Sequence, residues 1–183
     1  MSRQSGVTLV ELMIVIGIAA IIAAIGVPSY RYVTTSNRVS GEVNDLMGDL
    51  QFARYEAIKE GLTVTVCPAS SATMAVACDT TTAWTEGWIV LSNASVVLRR
   101  HLSLSSINAN GSDTVTGSTG LTVITFNREG FAGFPGGATN PMFSLHDPNS
   151  ITGYTRCLMI SSAGAMSTAT YGNSVFSASV TCS

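Results

Sequence analysis

Glu11 is the one ionisable side chain between Val7 and Val27, a run otherwise made of apolar residues, glycines and Thr8. A carboxylate inside a segment fit for a bilayer costs on the order of a few kcal/mol, and it is by default a functional candidate that needs a partner. The chain carries a source for one. Cleavage between Gly6 and Val7 would free an α-amine at Val7, about one helical turn before Glu11. That cation on one subunit could neutralise the carboxylate on an adjacent subunit. One member of a desolvated pair left alone costs roughly 3–5 kcal/mol. An isolated subunit is then strained in the bilayer and a packed array of helices relieves it, so the chemistry on offer is assembly rather than catalysis.

Other reactive residues are few. The four cysteines, Cys67, Cys78, Cys157 and Cys182, all lie beyond the apolar run, and an even count fits two disulfides in an oxidising compartment. Three pairings are open. Nearness in sequence favours Cys67 with Cys78 and Cys157 with Cys182, and free buried thiols are the alternative. No CxxC spacing occurs and His101 and His146 are the only histidines, so neither a metal nor another cofactor is expected. HExxH, GxSxG and GxxxxGK[ST] are absent, so the chain does not read as an enzyme. His146 and Asp147 are neighbours in sequence, which says nothing about geometry. The basic cluster Arg99-Arg100-His101 falls on a predicted strand, whose alternation sends neighbours to opposite faces. A solvated strand edge is the plainer reading there, and DNA contact through Arg99 and Arg100 the sharper one. Trp84 and Trp88 read as core residues. Asn93-Ala94-Ser95 and Asn110-Gly111-Ser112 match a glycosylation pattern that is common by chance.

The elements that must position these residues follow from length and periodicity. The 183 residues permit one ordinary domain plus an anchor. Hydrophobic residues make up 46% and charged residues 11%, with a net charge of −2, so nothing global points to a polyanionic partner. Val7–Val27 is long enough to cross a bilayer core as a helix, and Arg3 before it places the bulk of the chain outside the cytoplasm. The run is too long for the core of a cleaved secretory signal. Pro28 removes a backbone donor and is placed to kink the helix. Beyond it Val39, Val43, Leu46, Leu50, Ala53 and Ala57 recur at spacings of four and three, one face of an amphipathic helix. Glu42, Asp45, Asp49, Arg54, Glu56 and Lys59 are assigned to the other faces, and Gly61 to the stop.

From Leu62 the period changes to that of short strands. Thr63–Cys67, Gly87–Asn93, Val96–Leu102, Leu121–Asn127, Met142–Leu145 and Arg156–Ile160 are β-branched, often alternating, and bounded by turn residues. Val175–Cys182 is a candidate for the last strand. Asn108–Gly120 and Gly130–Gly137 read as turn-rich loops, the first polar and mobile. Arg128-Glu129-Gly130 reads as a hairpin turn with a local ion pair. With no helical pattern after Glu60, a long helix followed by antiparallel strands makes an α+β fold.

Gly6-Val7-Thr8-Leu9-Val10-Glu11 followed by an apolar helix resembles the class III signal of type IV pilins and type II secretion pseudopilins. Val7 stands where that family usually has Phe or Met. The head sharpens the likeness. Cys67, Cys78, Trp84–Leu91 (WTEGWIVL) and Phe126–Gly133 (FNREGFAG) resemble the GspH/FimT group of minor pilins and pseudopilins, and most of all its FimU-type minor pilins. The resemblance implies a type IV pilin fold, with a leader at 1–6, a transmembrane assembly helix at 7–28, an amphipathic helix at 29–60 and a β-rich head at 61–183. It implies cleavage after Gly6 by a prepilin peptidase, methylation of Val7, and an assembly role for Glu11. It further implies major and minor pilins as partners, and a single pass through the inner membrane with a periplasmic head that enters an extracellular pilus. The role it implies is a minor pilin of a tip or priming complex, with a pseudopilin of type II secretion or a DNA-binding uptake pilin as alternatives. Some FimT-type members bind DNA through a Gly-Arg-x-Arg stretch. The similar stretch here is Gly164-Ala165-Met166-Ser167, without either arginine, and phosphate contacts supply most nonspecific affinity.

Overall fold

The computed structural model describes residues 6–69, 77–79, 84–102, 104, 113–118, 120–138, 140–175 and 180–182. The chain divides into two compact units, Met1–Asn37 and Arg38–Ser183. In the first, the helix α1 (Leu9–Glu60) opens on the apolar run, and its helical assignment continues through Pro28 without a break. Val10, Ile14, Ile18, Ile21 and Ile25 are all exposed, and the helix is long and apolar enough to cross a membrane.

In the second unit the remaining turns of α1 bury Val39, Val43, Leu46, Leu50, Ala53 and Ala57, the stripe expected from the spacing. The helix ends where Gly61 takes a positive φ of 68°, a conformation that glycine adopts without a Cβ clash. Among the described residues eleven strands follow: β1 (Val64–Pro68), β2 (Gly87–Leu91), β3 (Val97–Leu102), β4 (Thr114–Gly117), β5 (Ile124–Phe126), β6 (Ala132–Gly133), β7 (Met142–His146), β8 (Arg156–Ile160), β9 (Met166–Thr170), β10 (Ser174–Val175) and β11 (Val180–Thr181). One antiparallel sheet runs β3-β2-β1-β5-β6, a second runs β4-β7-β8-β9, and β10 and β11 pair with each other. Val64, Val66, Trp88, Val90, Ile124 and Phe126 of the first sheet and Phe143, Leu145, Leu158 and Ile160 of the second join the helix stripe in one buried cluster. Cys67, Ile89 and Leu91 form a smaller cluster. The fold is the α+β arrangement of a long N-terminal helix on antiparallel sheets.

Several details correct the sequence expectations. Asn108–Gly120 is not all loop, because β4 lies inside it. Val115 alternates inward between exposed Thr114 and Thr116, a pattern too short to stand out in a Ser/Thr/Gly-rich stretch. Residues 108–112, with the Asn110 glycosylation pattern, lie outside the described residues. The Gly130–Gly137 segment holds the two-residue β6 and a 3-10 turn at Pro135–Gly137, and further 3-10 turns occur at Trp84–Glu86 and Thr152–Tyr154. Strand β9 carries no run of large apolar residues and so escapes the alternation criterion. Within Val175–Cys182 the described residues form parts of a two-stranded ribbon rather than one strand. Finally, Glu42, Asp49 and Glu56, assigned to faces other than the apolar stripe, are buried as well, Asp49 against Trp88 and Arg99 of the head and Glu56 against Lys59 of its own helix.

Candidate functional site

At the start of α1 the residues expected to be cut and to assemble lie together. Gly6, Val7 and Thr8 precede the helix. Thr8 caps it: its Oγ1 accepts the backbone N–H of Glu11 at 3.2 Å, and its carbonyl accepts the N–H of Leu12. Thr8-x-x-Glu11 is therefore a capping-box sequence, with Glu11 at the third helical position. Negative charge is favoured there by the helix dipole. The sequence reading missed this local reason for Glu11, although Thr8 three residues ahead was the signal for it. Glu11 sits at the mouth of the exposed apolar helix, and Gly6 has open space around its α-carbon.

In the head, the basic cluster on β3 is not a patch. Arg99 Nη1 donates to Asp49 Oδ1 at 2.9 Å, and its guanidinium lies 4.1 Å from the Phe52 ring centre. The other oxygen of Asp49 accepts the indole N–H of Trp88 at 2.8 Å. Trp88 in turn stacks on His101 at 4.0 Å and 10°, and His101 Nε2 lies 3.8 Å from Asp45 Oδ2. Arg99 and His101 thus serve the contact between β3 and α1, while alternation sends Arg100 the other way. Strand β3 is a sheet edge as expected, yet Arg99 is engaged with the helix rather than simply solvated. Trp84 is buried, donates its indole N–H to the Leu121 carbonyl at 2.8 Å, and meets Phe143 edge-on at 4.8 Å.

Cys67 is bonded to Cys78 and Cys157 to Cys182, with Cα separations of 5.4 and 5.7 Å. The helical period places Arg54 away from the apolar stripe, and in the structure it holds two turns. Its Nε donates to the Gly130 carbonyl at 3.0 Å, and its other nitrogens donate to the carbonyls of Gly164 and Ala163. Gly130 belongs to the turn between β5 and β6, where Arg128 pairs with Glu129. Gly164 belongs to the turn between β8 and β9. His146 bonds Thr155 through Nδ1 at 3.1 Å, and burial pushes its imidazole below the ordinary value, against a weaker upward pull from Asp147. Arg38 binds both oxygens of Asp113, beside buried Glu42. Burial and the facing Asp113 push the Glu42 carboxyl up to about 8. Among the described residues no group of three His, Cys, Asp or Glu side chains is arranged to hold a metal.

Two family models match the chain. That of type II transport protein GspH covers residues 42–164, and that of the prokaryotic N-terminal methylation motif covers residues 1–27. A fimbrial protein of Pseudomonas aeruginosa is 43% identical over 61 residues, 33% of this chain and 39% of that protein. Prepilin peptidase-dependent protein D of Escherichia coli (strain K12) is 61% identical over 31 residues, 17% of this chain and 21% of that protein. The chain spans less than half the length of these curated relatives. The crystal structure of the type IV minor pilin FimU of Pseudomonas aeruginosa (strain PAO1) matches with a TM-score of 0.55 at 21% identity, over 72% of this chain and 87% of that one. A second crystal form of it gives 0.52. These two likenesses are of fold.

Proposed function

Since the chain belongs to the GspH family of minor pilins and pseudopilins, we propose that it is a minor type IV pilin that joins a tip or priming complex and supports pilus assembly. In this reading residues 1–6 are a leader removed by a prepilin peptidase between Gly6 and Val7, and Val7 is then N-methylated. Residues 7–28 anchor the chain in the inner membrane, 29–60 complete the helix, and 61–183 form a periplasmic head that is carried into the extracellular filament. The partners are other major and minor pilins.

The observation that carries the proposal is the placement of Glu11. It lies in the first turn of an exposed apolar helix, directly behind a threonine cap and within the residues matched by the methylation motif. In the bilayer its charge is tolerable once the Val7 amine of a neighbouring subunit lies beside it. Glu11→Ala should lower recruitment into pili about tenfold, the equivalent of roughly 1.4 kcal/mol. The measurement is immunoblotting of sheared pili from cells with an active prepilin peptidase, with the mature N-terminus sequenced. Assembly of the variant at the wild-type level, or a mature chain that still begins at Met1, would overturn the proposal.

A second reading, a pseudopilin of type II secretion, is favoured by the description of the matching family. Co-purification with secretion components rather than with pili would establish it. The DNA-uptake reading has less support. Arg99 is held by Asp49 and Phe52, and the turn at Ser161–Ala165 carries no basic residue.

A further inference from the structure

Two buried carboxyl groups in the head face a single guanidinium. Glu42, on α1, is 7% exposed, and both its oxygens are buried without a hydrogen-bond partner. The polar group facing it is itself a carboxyl, that of Asp113 at the entrance to β4, which is 1% exposed. Both Asp113 oxygens accept from Arg38, one through Nε and one through Nη2. The other charges near the cluster do not compensate Glu42. Asp45, on the same helix, is negative. Asp147, after β7, is also negative and already accepts the backbone N–H groups of Asn149 and Ile151. Arg38 can neutralise one carboxylate, and its fork is spent on Asp113.

Two carboxyl groups that face each other in a buried site with one guanidinium between them are not both ionised, so one keeps a proton. Asp113, with two charge-assisted bonds, is the better anion. We propose that Glu42 stays a neutral carboxylic acid in the folded head, donating its proton to Asp113, and that its ionisation releases this tie between α1 and β4. The cluster is then a pH-sensitive latch at the first turn of the head.

The direction of the pH effect follows from linkage. The carboxyl rises from an ordinary 4.5 to about 8 on folding, first through burial and then through the Asp113 charge. The folded state therefore holds a proton that the unfolded state gives up. The stabilisation is fully present below about 4.5 and is lost as pH rises toward 8. Within that window each pH unit lowers the folding constant by up to about tenfold.

The test uses the full chain in detergent, with thermal unfolding followed between pH 5 and pH 8.5. Glu42→Gln keeps a donor toward Asp113 and cannot ionise. The wild type should lose thermal stability steadily across the window, and Glu42→Gln should lose markedly less. His146 contributes a slope of opposite sign in both proteins, so the difference between them isolates Glu42. In parallel, infrared difference spectra at pH 6 should show a carboxylic-acid carbonyl band in the wild type that is missing from Glu42→Gln. Identical pH profiles, or no such band in the wild type, would overturn the proposal. The infrared arm keeps the test open if the variant folds poorly.

Discussion

Asp49 joins three elements through one carboxylate. From α1 it receives the Trp88 indole of β2 and the Arg99 guanidinium of β3. Asp49→Ala should leave a fully buried indole N–H without an acceptor, which costs about 1–3 kcal/mol. Asp49→Asn, which keeps one acceptor oxygen, should cost less. Urea denaturation of the two variants, followed by tryptophan fluorescence, measures both. The helix stripe was legible in the sequence because Val39 through Ala57 repeat with the helical period. The role of Asp49 was not, because periodicity sees one helix at a time and the carboxylate owes its burial to residues about forty to fifty positions away. A buried Trp88 was expected, and an indole N–H in a core usually finds an acceptor. Glu11 shows the same limit in reverse: its place in an apolar run was plain, while its local tie to Thr8 went unread.

At the scale of elements, two hairpin turns from different sheets touch each other and are both held by Arg54. The turn at Asn127–Gly130 and the turn at Ser161–Ala165 approach so closely that a Cβ on Gly164 would lie 2.2 Å from the Gly130 carbonyl oxygen. Gly164 also has a φ of 75°. Gly164→Ala should therefore destabilise the head by more than the roughly 1 kcal/mol of a left-handed alanine, since backbone must move as well. Gly136→Ala has a similar φ of 68° and open space, and should show only the conformational part. Chemical denaturation of the pair separates strain from collision. The strands around these turns differ in how readable they were. Gly87–Leu91 and Arg156–Ile160 are interior strands dense in large apolar residues, and both were found. Met166–Thr170 lies at a sheet edge with small and polar side chains, and Ala132–Gly133 is too short to carry a period.

For the whole molecule, a long N-terminal helix followed by antiparallel strands was legible from length, hydropathy and the change of period from Leu62. The assembly of two sheets was not, since strand order depends on pairings that no local pattern encodes. The disulfide Cys157–Cys182 fastens the segment after β9 to β8, an interior strand of its sheet. Replacing both cysteines with serine should lower head stability by about 2–4 kcal/mol, measured as a lower denaturant midpoint. Nonreducing peptide mapping of the wild type should recover Cys67 with Cys78 and Cys157 with Cys182. The two bridges also differ in when they can close. Cys78 follows Cys67 by 11 residues, whereas Cys182 comes after all the strands among the described residues. A chain emerging from its N-terminal side can seal the first bridge early. Cys157 must then wait as a thiol until the last strand has appeared, and any thiol–disulfide exchange with the finished bridge during that wait scrambles the pattern. The early pair is thus a local clasp, and the late one closes only after the strands it ties together have emerged.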